Sequence, residues 1–177
     1  MLSDLSGDGS IILYANAEYG RTTLLRELRY QLLESANDLG FPRLPVLLDF
    51  KDISANADNM LRIAKARATQ TPVGHDLEAL LKLGHVCILI DDVEFSDAKR
   101  TAIVRKFVER YSKARFVLSS PTSSAAPFGT HVVPEMAVHF EFVEIRQLRR
   151  KDMRQLLTKF DKCDDVEAWL DRLQAEF

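Results

Sequence analysis

Two periods of hydrophobic residues take turns along this chain. Residues 10–14 (SIILY), 45–50 (PVLLDF), 86–90 (VCILI) and 115–119 (RFVLS) are short apolar runs bounded by turn-forming residues. Unbroken runs of this length read as strands buried on both faces, as in a parallel sheet. Between them, residues 22–39, 59–69, 76–83 and 97–112 repeat apolar residues every three or four positions and predict helices. In the last of these, Ile103, Val104, Phe107, Val108 and Tyr111 share one face. Gly40 stands where it can cap the first helix, and a Thr-Pro-Val-Gly break separates the second helix from the third. Residues 121–130 read as a Ser/Pro/Ala/Gly loop. The stretch 138–145 (VHFEFVEI) alternates apolar and polar residues like a half-exposed edge strand, and residues 151–160 and 166–176 close the chain as helices. Strands alternating with helices of this length predict a three-layer α/β/α domain around a mostly parallel sheet.

The first strand-to-helix junction carries the most chemistry. Gly20-Arg21-Thr22-Thr23 falls where the phosphate-binding pattern G-x-x-x-x-G-K-[ST] puts its final Gly-Lys-Ser/Thr, and Ala15 stands where that pattern has its first glycine. Backbone N–H groups of such a turn, here Ala15, Asn16, Ala17, Glu18, Tyr19 and Gly20, would form an anion nest. The first turn of the following helix, with Thr22 and Thr23, adds unpaired N–H groups and the positive end of its dipole. Arg21 would neutralise phosphate charge, although its planar fork is not interchangeable with a lysine ammonium. The Thr22 hydroxyl would ligate Mg²⁺. Ala15 brings a Cβ to the point where the backbone should approach a phosphate most closely, which predicts a looser loop. An ordinary strand-to-helix turn with a solvated arginine would also account for these residues.

A second junction matches the first. The run Val86–Ile90 ends in Asp91-Asp92, and acidic residues at the carboxyl end of a buried parallel strand lie where open α/β sheets bind ligands. Asp91 would hold the metal, and Asp92 would orient or deprotonate an attacking water, with Glu94 a rival for that role. Ser119, at the end of the neighbouring strand, is a candidate for contact with a terminal phosphate or the water. These acids could equally begin a polar loop, and a serine at a strand end is common.

Composition adds limits. At 177 residues and 46% apolar content the chain is long enough for one substantial core. A net charge of −2 gives no general case for a nucleic-acid surface. Cys87 and Cys163 lack metal-site spacing, as do the four histidines, and sparse cysteines fit a reducing, cytoplasmic setting. No stretch approaches the roughly 18 apolar residues of a membrane span, and no secretory signal is visible. Arg146, Arg149, Arg150, Lys151 and Arg154 form a late basic cluster. It could meet nucleic acid or a neighbouring subunit's nucleotide, or simply be a solvated helix start.

The order of these parts resembles the P-loop NTPase core of the signal-transduction ATPases with numerous domains, the group of the NACHT and NB-ARC proteins, which are relatives of the AAA+ ATPases. The resemblance rests on Gly20-Arg21-Thr22-Thr23-Leu24-Leu25, on Ile88-Leu89-Ile90-Asp91-Asp92 as a Walker B strand, on Phe116-Val117-Leu118-Ser119-Ser120, and on the stretch from Val143 through Leu148 to Leu157. It covers roughly residues 8–160. It implies a P-loop domain over residues 1–160, with residues 161–177 beginning a following helical domain cut short. It also implies ATP or ADP with Mg²⁺ as ligands and slow ATP hydrolysis serving a regulatory switch. The partners implied are other domains of a longer protein and self-association, with no membrane. Ala15, Ala17 and Arg21 depart from the family's glycines and lysine, so two alternatives stay open: a catalytically inactive scaffold, and an AAA+ type ATPase acting on nucleic acid. No guanine-reading Asn/Thr-Lys-x-Asp motif is present, which makes adenine the default.

Overall fold

The computed structural model describes residues 9–16, 20–35, 43–55, 59–68, 76–121 and 135–145. The chain divides into two units, residues 1–145 and 146–177, and all described residues belong to the first. The helices expected over 151–160 and 166–176, the late basic cluster and all but the first residue of the loop expected over 121–130 lie outside the described residues; that first residue, Pro121, ends a strand instead.

The apolar runs form β1 (Ser10–Ala15), β2 (Leu44–Asp49), β3 (Val86–Asp91) and β4 (Arg115–Pro121), and the alternating segment forms β5 (Phe140–Glu144). They pair in the order β2-β3-β4-β1-β5, and every pairing is parallel. β3 and β4, in mid-sheet, bury almost every side chain, as their unbroken apolar runs require. β5 lies at an edge as expected. It is shorter than the 138–145 pattern, and Phe142 remains exposed on its outer part, stacked on Tyr14 with ring centroids 6.1 Å apart.

Helices cover both faces. Side chains alternate along each strand, so Ile11, Leu13, Cys87, Leu89 and Val117 point to one face, where Leu25 and Leu28 of α1 (Arg21–Ser35) pack on them. Ile12, Ile88, Ile90, Phe116 and Leu118 point to the other. There they meet α2 (Met60–Ala68), α3 (Leu77–Leu83) and α4 (Ala98–Arg110). Each fully buried Ile or Leu contributes about 1.5–3 kcal/mol over its exposed state. The result is the expected three-layer α/β/α domain.

Element ends differ from the hydrophobic pattern where polar side chains intervene. β2 stops at Asp49, whose carboxylate accepts the Lys51 N–H and turns Phe50–Asp52 into a short 3-10 helix instead of extending the strand through Phe50. Asp76 and Asp97 cap α3 and α4 by accepting the N–H groups of Ala79 and Arg100. α4 ends at Arg110, before Ser112, because Tyr111 already leaves the helical conformation. Gly84 closes α3 at φ +87, and a Cβ there would sit 2.8 Å from the Lys113 carbonyl oxygen.

Candidate functional site

Because every pairing is parallel, the carboxyl ends of all five strands meet one edge of the sheet. β1 brings Ala15 and Asn16 there, β2 brings Asp49, β3 brings Asp91 and β4 brings Ser119 and Ser120. The chain leaves β1 over the α1 face, crosses to β2, and returns strand by strand until β4 lies beside β1. Such a reversal of winding opens a crevice at the carboxyl edge, which is where open α/β sheets bind ligands.

Gly20 turns the chain into α1. Its φ of +74 is left-handed, which glycine adopts without penalty, and open space surrounds the position of a Cβ. Its carbonyl accepts the Leu24 N–H at 2.8 Å and opens the helix. Arg21, Thr22 and Thr23 form the first turn, whose N–H groups a helix leaves without internal partners. No acidic side chain shares that turn, so nothing negative of its own meets the positive end of α1 there. Thr22, Thr23 and Asn16 are exposed. Ala17, Glu18 and Tyr19 lie outside the described residues. Ala15 is the last residue of β1 and is 1% exposed, with its methyl packed beside Leu25 and Leu28. Its Cβ belongs to the buried core, while the loop it was expected to loosen runs on through residues 17–19, outside the described residues.

The acidic junction is tied down by β4. The Ser119 hydroxyl, fully buried, donates to Asp91 Oδ1 at 2.6 Å and accepts the Asp92 N–H at 2.9 Å. The Val93 N–H donates to the Ser119 carbonyl at 2.7 Å, and the Ser120 hydroxyl donates to the Val93 carbonyl at 2.8 Å. These bonds hold Asp92 at φ +60, a left-handed conformation that costs about 1 kcal/mol or more and that aspartate tolerates better than most residues. Ser119 thus acts on the backbone and carboxylate of the β3 turn, and Glu94 lies exposed just beyond it.

Arg21 joins the two junctions. Its Nη2 pairs with Asp92 Oδ1 at 2.8 Å, and its Nη1 donates to the Ala15 carbonyl at 3.3 Å. The guanidinium side chain is only 14% exposed, whereas that of Asp92 is 59% exposed. Arg21, Thr22, Asp91, Asp92 and Glu94 all line one cavity of about 520 Å³.

That cavity extends toward β2 and acquires a wall of cations absent from the sequence argument. Arg26 and Arg29 stand four and seven residues after Thr22, on the same face of α1. Their spacing was the available signal. Lys51, Arg67 and Arg100 complete the wall, each in an ion pair: with Asp49 at 2.7 Å, Asp52 at 3.1 Å and Asp97 at 2.7 Å. The Asp49 hydrogen bond and charge, with Asp52 and Asp91 beyond, hold the Lys51 pKa above its usual value. The Nε of Arg29 is buried without a hydrogen-bond partner among the described residues. These side chains come from separate segments, and only the fold brings them together.

Among the described residues no group of three or more His, Cys, Asp or Glu side chains could hold a metal ion. Asp91 and Thr22 offer one carboxylate and one hydroxyl. Such a sparse hard-oxygen set fits an ion that keeps water and phosphate oxygens as its other ligands, as Mg²⁺ does. No described helix is long and apolar enough to cross a membrane.

No protein-family model matches the sequence, and no curated protein matches it. Solved structures do. The replication initiator DnaA bound to AMPPCP and single-stranded DNA matches with a TM-score of 0.55 at 17% identity, over 95% of this chain and 50% of that one. The Orc1 protein of Aeropyrum pernix in complex with DNA matches at 0.53 and 14% identity, over 87% of this chain and 44% of that one. A signal transduction ATPase with numerous domains from Pyrococcus horikoshii, carrying a tetratricopeptide repeat sensor, matches at 0.50 and 13% identity, over 98% of this chain and 27% of that one. This chain spans half or less of each of these structures. The likeness shows the fold alone, a three-layer α/β/α domain around a parallel sheet.

Proposed function

We propose that this chain is a nucleotide-binding P-loop domain that takes ATP or ADP with Mg²⁺, hydrolyses ATP slowly, and serves as a regulatory switch within a larger cytoplasmic protein. The observation that carries the reading is the meeting of two junctions on one cavity. The left-handed Gly20 and the first turn of α1 lie on one side, and Asp91 and Asp92 lie on the other, with Arg21 spanning them. Any parallel sheet brings its strand ends to one edge; what singles out these two junctions is their chemistry, a helix turn with no acidic side chain of its own facing two carboxylates across one cavity.

The roles follow from position. The N–H groups of Gly20 to Thr23 and the dipole of α1 receive the phosphates, with Ala15, Asn16, Ala17, Glu18 and Tyr19 forming the rest of the loop. Thr22 and Asp91 hold Mg²⁺, which neutralises phosphate charge when bound. Ser119 positions Asp91, and Asp92 or Glu94 orients the attacking water. Arg21 supplies the charge a lysine would otherwise bring. AMPPCP in the DnaA structure supports an adenine nucleotide as ligand. Nucleotide state governs contacts with further domains of the parent protein or with further copies of the chain.

One observation favours a second reading, a scaffold that keeps the fold without turnover. Arg21 is committed to Asp92 and to the Ala15 carbonyl rather than standing open to a ligand. Thermal melting with ATP, ADP and GTP, each with and without Mg²⁺, tests the main reading. Ligand at 100 times its dissociation constant adds about 2.7 kcal/mol, which is several degrees for a domain of this size. A Mg²⁺-dependent rise with adenine nucleotides is the expected result, and no rise at millimolar nucleotide overturns it. Arg21→Lys then separates switch from scaffold. Measurable turnover before the change supports the switch, and turnover that emerges only after it supports the scaffold.

A further inference from the structure

The charge that should greet a phosphate is already neutralised. Arg21 directs one terminal nitrogen to Asp92 and the other to the Ala15 carbonyl. A guanidinium so engaged gives an incoming anion little of its charge until it is released. Asp92 differs from Arg21 in how it is held. Its backbone is fixed, by its own N–H on the Ser119 hydroxyl and by the Val93 N–H on the Ser119 carbonyl. Its carboxylate, by contrast, is largely solvated. Separating the two charges therefore requires a rotamer change of Arg21 alone and leaves behind a carboxylate that water can receive cheaply. The pair and the cavity share both residues, so one guanidinium cannot serve Asp92 and a bound phosphate fully at once.

We infer that Asp92 is an internal competitor for the loop's ligand, holding Arg21 until a polyphosphate displaces it, so that phosphate binding and release of the Asp92 carboxylate are one linked event. This rests on the nucleotide reading above and adds its regulation. A group of two or more negative charges outcompetes a single exposed carboxylate for a guanidinium fork, whereas a nucleoside without phosphate does not. The site is thereby selective for the polyphosphate tail, and the carboxylate assigned to water is free only when phosphate is present. Linkage makes the effect reciprocal: phosphate binding weakens the pair by the same factor by which the pair weakens phosphate binding.

The test is calorimetric titration of pyrophosphate and of ADP, at fixed ionic strength, into wild type, Asp92→Asn, Glu94→Gln, Arg21→Gln and the Arg21→Gln, Asp92→Asn double variant. Asparagine suits the left-handed position, so the fold should survive the change at residue 92, and circular dichroism checks that it does. Asp92→Asn should tighten both ligands roughly two- to fivefold, the size of a solvent-exposed ion pair. Glu94→Gln removes an equal charge from the same cavity without touching Arg21 and should tighten them less. In the Arg21→Gln background, Asp92→Asn should bring no gain. An equal gain from Glu94→Gln, or a gain that persists without Arg21, reduces the effect to general electrostatics and overturns the inference. Wild type that binds while Asp92→Asn binds no tighter overturns the inference alone and leaves the nucleotide reading standing. If no variant binds either ligand, the nucleotide reading falls and the inference falls with it.

Discussion

Removal of the Ser119 hydroxyl should cost more than removal of its neighbour's. Ser119→Ala deletes a buried group that serves two partners: it donates to Asp91 at 2.6 Å and accepts from the Asp92 N–H at 2.9 Å. A hydrogen bond to a charged group is worth about 1.5–3 kcal/mol, and a donor left unsatisfied costs about 1–3 kcal/mol. Asp91 is half-buried and water can replace part of its loss, which places the total near about 3 kcal/mol. For a domain of this length that lowers the melting temperature by roughly 6–12 °C. Ser120→Ala deletes a single donor to the Val93 carbonyl, worth about 1 kcal/mol or roughly 2–4 °C. Calorimetric melts of the two variants and wild type, at one concentration and without ligand, decide the matter. If Ser119→Ala melts within a degree or two of wild type, or no lower than Ser120→Ala, then Ser119 does not organise the β3 turn.

Two further outcomes follow from the geometry. Gly84→Ala should lower the melting temperature by several degrees, because it adds a 2.8 Å contact with the Lys113 carbonyl to a left-handed strain of about 1–2 kcal/mol. Gly20→Ala carries the strain without the contact and should cost visibly less; equal losses would refute the steric argument. Asp97 gives a pH signature: its pKa lies below the usual value, first because the Arg100 backbone N–H bonds to it and then because the Arg100 side chain does. A carboxylate with a depressed folded pKa adds stability above its unfolded pKa of about 3.9, and that stability is lost as pH falls through the lower folded value. The melting difference between wild type and Asp97→Asn should therefore hold above about pH 5 and shrink toward zero in more acidic buffer, and a difference that widens in acid would contradict the assignment.

Hydrophobic period alone located the described strands and helices because each reports on local burial. Val86 to Ile90 is apolar without a break and occupies mid-sheet, whereas Phe140 to Glu144 alternates and occupies an edge. Where the pattern misplaced an end, a side chain had outbid it, as at Asp49, whose carboxylate draws the Lys51 N–H and ends β2 before Phe50. The junctions were legible for a similar reason: glycine, hydroxyl and carboxylate at strand ends are local marks of chemistry. Pairing was not local. Arg21 and Asp92 are far apart in the chain, and nothing in either segment says that the fork meets that carboxylate instead of pointing to solvent. The sheet order decides it, because β4 separates β1 from β3 and the Ser119 hydroxyl at its end turns Asp92 back toward the loop. The wall of Arg26 and Arg29 was missed on the opposite ground. Its spacing was visible, but an arginine on a helix is ordinarily a solvated charge, and only the approach of β2 to α1 half-buries Arg29 beside the exposed Arg26. The sequence therefore marked the separate parts of the candidate site, while the strand order determined which of them act on each other.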